Sequence, residues 1–119
     1  LVGAGKLGRA LLEHDEFEAY GVSIAAAFDC NEQTIRLGNH KEILPMRQFE
    51  EYCTAQHIQI GIITTGPGSA QDVCDRMIRS GITAIWNFAP CKLEVPKNIL
   101  LKQENLALSL AYLNRQLTN

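Results

Sequence analysis

Leu1-Val2-Gly3-Ala4-Gly5-Lys6-Leu7-Gly8-Arg9-Ala10-Leu11-Leu12 is the stretch on which the fold turns. Two apolar residues read as the end of a strand, three glycines follow in the pattern G-x-G-x-x-G, and Leu7, Ala10 and Leu11 carry the spacing of a helix predicted over residues 6–14. The glycine pattern is weak alone and acquires a mechanism only between a strand and a helix. Gly3 permits the tight turn, Gly5 lets the backbone approach a pyrophosphate with no Cβ in the way, and Gly8 lets the helix sit close to the sheet. The helix start, with Ala4, Lys6 and Leu7 completing the loop, then offers free amides and a partial positive charge to an anion.

The second strand, predicted over residues 22–28, ends at Asp29, about 20 residues beyond the last glycine, where a carboxylate takes both hydroxyls of an adenosine ribose. An acid there repels a 2′-phosphate, so the position favours NAD over NADP. The plainer alternatives are an ordinary strand-to-helix turn for the glycines and a helix-capping or solvated acid for Asp29. The agreement in register of all four residues favours a dinucleotide.

Further along, the pattern predicts a short strand at Ile43-Leu44-Pro45 and a helix over residues 48–56. A central strand follows over residues 58–65, then a helix capped by Ser69 with Ala70, Val73, Met77 and Ile78 inward and ended by Gly81. Strands over residues 83–87 and 98–102 and a last helix over residues 105–117 complete β-α-β-β-α-β-α-β-β-α. This is an α/β chain: a Rossmann-type, doubly wound, mostly parallel sheet. Thr64-Thr65-Gly66-Pro67-Gly68 falls at the carboxyl end of the central strand, beside the switch point where ligands of such sheets bind, although its glycines can equally serve a simple turn. Asn87, Phe88 and Ala89 reach the same edge from the next strand and could face the nicotinamide half; the alternative is a strand end closed by Pro90.

In the last helix Leu106, Leu110, Leu113 and Leu117 make one apolar stripe and Leu108 and Tyr112 a second face. Either the helix packs deep in the sheet layer or another chain covers it, since exposed apolar patches mark interfaces.

Composition bounds the rest. The 119 residues are 46% apolar and 20% charged, one domain's worth with a real core, which rules out a disordered chain. No apolar run approaches the about 20 residues that cross a bilayer. The net charge of −2 leaves no basic excess to neutralise a nucleic-acid backbone. A start at Leu1 with no leader reads as a piece cut from something longer. Cys30, Cys53, Cys74 and Cys91 form no C-x-x-C pair, which favours reduced intracellular thiols over a disulfide frame or a zinc cluster. No tyrosine has a lysine four residues on, and His14, His40 and His57 fall away from the ligand edge. No catalytic or metal-binding residue is therefore assigned, and the chain is expected to hold NAD without using it chemically.

These residues, with Ala26-Ala27-Phe28-Asp29, Ala70-Gln71-Asp72-Val73-Cys74-Asp75-Arg76, Gly81-Ile82, Asn87-Phe88-Ala89-Pro90 and Leu93-Glu94-Val95-Pro96, resemble the bacterial redox-sensing transcriptional repressor family Rex, specifically its C-terminal nucleotide-binding domain. The resemblance covers essentially the whole chain, and residues 87–96 carry it more specifically than the glycines. It implies an NAD(H)-binding domain over residues 1–104 and a dimerisation helix over residues 105–119 exchanged between two subunits of a homodimer. It also implies a cytoplasmic, non-enzymatic repressor that meets operator DNA only through an N-terminal winged-helix domain absent from this sequence. NADH would favour a closed dimer that releases the operator. Two positions depart from the family: Thr64-Thr65-Gly66-Pro67 stands where Thr-Val-Pro-Ala is usual, and Asn105 replaces an aspartate. Neither touches Gly3, Gly5, Gly8 or Asp29. The rival readings are the cofactor half of an NAD-dependent reductase and a CoA-binding module of the same fold.

Overall fold

The computed structural model describes residues 1–31, 43–104 and 106–118. After a strand stub at Leu1 and Val2 come helix α1 (Lys6–Leu12), a 3₁₀ helix (Asp15–Tyr20), strands β1 (Ala27–Asp29) and β2 (Ile43–Pro45), and a 3₁₀ turn (Met46–Gln48). Helix α2 (Phe49–Gln56), strand β3 (Ile60–Ile63), helix α3 (Pro67–Arg79), strands β4 (Ala84–Asn87) and β5 (Leu100–Gln103), and helix α4 (Leu106–Thr118) follow.

The stub joins the sheet. The Val2 N–H donates to the Ile62 carbonyl at 2.8 Å and the Thr64 N–H to the Val2 carbonyl at 2.9 Å. On the other side the Phe28 N–H donates to Leu1 at 2.8 Å and the Gly3 N–H to Phe28 at 2.9 Å. With β1 paired to β2 and β3 to β4 to β5, all in parallel, the order is β2-β1-stub-β3-β4-β5. This is the doubly wound parallel sheet expected from the sequence.

Alternation along the strands divides the core into two layers. Val2, Phe28, Ile63 and Ile85 point to the face covered by α2 and α3, where Phe49, Cys53, Ala70, Val73, Cys74 and Met77 are buried. Ala27, Ile43 and Ile62 point to the opposite face and pack with Ala4 and Leu12, bordered by Leu11, Phe17, Trp86 and Phe88. Helix α1 is drawn onto this face by Gly8: a Cβ there would lie 2.0 Å from the Gly3 carbonyl oxygen, so backbone meets backbone. On the other face Arg76 of α3 holds Glu50 of α2 through two contacts, Nε to Oε1 at 2.6 Å and a terminal nitrogen to Oε2 at 2.9 Å. The side-chain bond from Arg76 is the main cause that holds the Glu50 carboxyl at about 2, well below the usual carboxylate range.

Several boundaries differ from the sequence reading. The strand predicted from Val22 begins only at Ala27, because residues 22–26 carry no strand pairing in the described sheet. Helix α3 starts at Pro67 with Gly66 as cap, which corrects Ser69: the fixed φ of proline suits the first helical position, and Ser69 lies inside the first turn. The 3₁₀ helix at Asp15–Tyr20 was not anticipated. Asn105 and His40 lie outside the described residues. In α4, Leu110, Tyr112, Leu113 and Leu117 are 58% to 86% exposed rather than packed in a sheet layer.

Two outcomes follow from this packing. Gly8→Ala should lower stability by about 3 kcal/mol or more, because rigid backbone rather than a movable side chain blocks the new methyl, and urea unfolding reads this as a lower midpoint at unchanged slope. The Glu50 carboxyl sits below its ordinary value when folded, so its contribution is whole above that value and disappears as pH falls through about 4 towards 2. Thermal midpoints measured between pH 6 and pH 2 should therefore fall less in Glu50→Gln than in the parent chain.

Candidate functional site

The stub, β1 and β3 end side by side, and at their carboxyl ends opens a cleft of about 530 Å³. Its floor is the glycine loop, with Val2, Gly3 and Gly5 lining it. Gly3 has a positive φ of 102°, and a Cβ there would approach the Thr64 carbonyl carbon to 2.8 Å, so only glycine allows the two loops to touch. Thr64 locks that contact, its hydroxyl bonded to the carbonyls of Gly3 and Val2. Thr65 and Gly66 continue the wall.

Asp29 enters from β1. Its Oδ2 accepts the Ala4 N–H at 2.8 Å and its Oδ1 the Asn31 N–H at 2.8 Å. Two backbone amides thus fix the plane of the carboxylate, and each oxygen keeps a further acceptor site for a hydroxyl pair. Gly5 lines the cleft, and a Cβ there would meet nothing within 4 Å, so its backbone lies open. Neither α1 nor α3 has a side-chain cap or an acid in its first turn, and their caps, Gly5 and Gly66, both line the cleft. Uncapped starts leave amide donors for an anion. The arrangement thus offers an acceptor for hydroxyls, donors for phosphate and no side chain in between, which suits a nucleotide with a pyrophosphate.

The structure thus brings together Gly3, Gly5, Asp29, Thr64, Thr65 and Gly66, with Ala4 behind them. Lys6 and Leu7 are exposed at the start of α1, Gly8 packs against Gly3, and Pro67 opens α3; none of these four lines the cleft. Asn87, Phe88 and Ala89 sit one strand further along the same edge, tied to it by the Phe88 N–H on the Ile63 carbonyl at 2.8 Å, and are also outside the cleft. Asn87 is fully buried and occupied with its own turn. Its amide donates to the carbonyls of Ala89 and Cys91 and to Gln103 Oε1, and its oxygen accepts the Ala89 N–H at 3.0 Å. Phe88 packs against Trp86 on the α1 face.

Sequence reasoning missed Cys30, Met46, Ser69, Asp72, Val73 and Arg76, which form the far wall. The signal was present in α3, where positions 69, 72, 73 and 76 share a face, but nothing local says that this face meets a ligand. The histidines stand elsewhere: His57 ends α2 and lines a hollow at the opposite edge of the sheet, and His14 contacts Glu16 at 3.5 Å and the Phe17 ring. Among the described residues no group of three or more His, Cys, Asp or Glu is placed to hold a metal, and no helix is long and apolar enough to cross a membrane.

Comparison with known proteins agrees with this geometry. Residues 1–91 match the CoA binding domain family. The redox-sensing transcriptional repressor Rex of Maridesulfovibrio salexigens is 45% identical over 100 residues, covering 83% of this chain and 48% of that protein. Rex of Clostridioides difficile is 38% identical over 111 residues, 92% of this chain and 53% of that protein. The chain therefore spans about half the length of the curated relatives it matches. Among solved structures, RSP in complex with beta-NAD+ and operator DNA superposes with a TM-score of 0.91 at 34% identity, over 98% of this chain and 54% of RSP. RSP in complex with beta-NADH gives 0.90 at the same identity, over 98% of this chain and 56% of RSP. The chain is thus a member of the CoA binding domain family, of the kind found in redox-sensing transcriptional repressors of the Rex family.

Proposed function

We propose that this chain is the NAD(H)-sensing and dimerising part of a Rex-type transcriptional repressor and has no enzymatic activity of its own. The observation that carries the reading is the likeness, across 98% of the chain, to RSP solved both with beta-NADH and with beta-NAD+ on operator DNA. The cleft adds independent support, because an open Gly5 and an amide-pinned Asp29 suit a pyrophosphate next to an adenosine ribose. The proposed cofactor site is Gly3, Ala4, Gly5, Lys6, Leu7, Gly8 and Asp29 with Thr64, Thr65, Gly66 and Pro67, and the turn of Asn87, Phe88 and Ala89 is assigned to the nicotinamide side. When bound, the cofactor supplies a ring that differs by one charge between its reduced and oxidised forms. The chain's part is to bind the shared adenosine and phosphates tightly enough for that difference to bias a dimer.

In this reading NADH prefers a dimer that releases operator DNA, and a preference of about 5.5 kcal/mol would carry the population from 1:99 to 99:1. The exposed Leu110, Tyr112, Leu113 and Leu117 of α4 are the surface that a second copy would cover. Operator binding is assigned to a part of the parent protein outside this sequence, since a net charge of −2 gives this part no electrostatic hold on a duplex. The working place of such a repressor is the cytoplasm. The match to the CoA binding domain family favours one rival, a CoA-binding module, and the same titration separates the two.

Calorimetric titration should show NADH binding at least tenfold tighter than NADPH or CoA, Gly5→Val should abolish binding, and Asp29→Asn should weaken NADH tenfold or more; CoA binding tighter than NADH would replace the reading. Light scattering should find a dimer that Leu110→Glu with Leu113→Glu turns into a monomer. A monomeric parent chain would remove α4 from the account.

A further inference from the structure

The far wall of the cleft contains a cation that the glycine motif does not explain. Arg76 lies on α3 with Ser69, Asp72 and Val73, and all four line the cleft. Its guanidinium is not free to reach into that space. Nε donates to Glu50 Oε1 at 2.6 Å, and one terminal nitrogen donates both to Glu50 Oε2 at 2.9 Å and to the Met46 carbonyl at 3.0 Å. The same group sits 5.9 Å from the centre of the Phe49 ring. Met46 is the residue that follows β2, and it too lines the cleft.

One side chain therefore ties α3 to the continuous segment that leaves β2 and enters α2, 26 to 30 residues away in sequence. Its consequence for the cleft is specific. The chain from Met46 to Gln48 is a short 3₁₀ turn that leads into α2, and the bonds from Arg76 to Met46 and Glu50 fix the width between it and α3. A two-pronged arginine holds such a width better than a lysine, because its planar fork keeps two acceptors in register, whereas an ammonium is a point charge on a flexible stem. Asp29 is in register with Pro45 in the sheet, so the cleft continues from Asp29 towards Cys30 and Met46, and this end receives whatever lies beyond the ribose that Asp29 binds. For a dinucleotide held by Gly3, Gly5 and Asp29, that group is the purine.

We propose that Arg76 is a positioning residue for the purine end of the cleft, which it spaces by holding Met46 through the carbonyl and Glu50 through the carboxylate. This rests on the dinucleotide reading above and adds to it which half of the ligand depends on the clamp. Binding of ligands that carry adenosine should depend on the clamp. Binding of the nicotinamide half alone should not.

The test is calorimetry on the full chain with NADH, ADP-ribose and reduced nicotinamide mononucleotide, for the parent, Arg76→Lys, Arg76→Gln and Glu50→Gln. The expected result is at least a tenfold loss of affinity for NADH and for ADP-ribose in Arg76→Lys and Arg76→Gln, a smaller loss in Glu50→Gln, and mononucleotide affinity within twofold of the parent throughout. Should Arg76→Gln unfold, Arg76→Lys and Glu50→Gln carry the same comparison, with thermal midpoints measured alongside. Unchanged ADP-ribose affinity in the folded variants would overturn the proposal. So would equal losses for ADP-ribose and the mononucleotide, which mark a general loosening of the fold. A parent chain that binds neither NADH nor ADP-ribose would overturn the dinucleotide reading itself and the proposal with it, an outcome distinct from a parent that binds both while the variants do likewise.

Discussion

Everything in this molecule depends on how Val2 is hydrogen-bonded. Its N–H and carbonyl are taken by Ile62 and Thr64, while the flanking Leu1 carbonyl and Gly3 N–H are taken by Phe28. A buried peptide group left unpaired costs roughly 1–3 kcal/mol, so a central strand flanked on both sides is held far more tightly than an edge. Without these bonds β1-β2 and β3-β4-β5 would be two small sheets. With them there is one sheet whose chain leaves the stub in one direction towards β1 and returns on its other side as β3. That reversal is what opens a crevice at the carboxyl ends of the strands.

The same contact shapes the site. Because Gly8 has no Cβ, α1 lies directly on the Gly3 carbonyl, and because Gly3 has none, the Thr64 loop lies directly on the glycine loop. The cleft is therefore walled by backbone on the side of the glycine loop. Asp29 belongs to this arrangement as much as to any ligand, since its carboxylate is held in place by the Ala4 amide. One carboxylate both fixes the loop and leaves acceptor sites towards the cleft, which couples the stability of the loop to the geometry of the site.

Much of this was legible in the sequence. The glycines, Asp29 and the strand Ile43–Pro45 stand where the pattern places them, and among the described residues the order of α-helices and strands is the one read from periodicity. The failures have separate physical causes. Residues 22–26 are apolar enough for a strand, yet strand structure requires a hydrogen-bonding neighbour, which composition does not reveal. Ser69 has the chemistry of a cap, but Pro67 pre-sets the helical φ two residues earlier.

The sequence by itself determined the fold class, the glycine loop at the end of the first strand and the acid beside it, because these depend on short-range rules: where a Cβ is absent, where apolar residues recur, where a strand ends. Tertiary structure alone decided the far wall. Arg76 lies 30 residues from Met46 and 26 from Glu50, and each reads locally as an ordinary surface or boundary residue. Only when α2 and α3 pack on one face of a joined sheet do the fork, the carboxylate and the carbonyl come within bonding distance. Interactions between distant segments depend on packing, and packing is settled only once the whole core has formed.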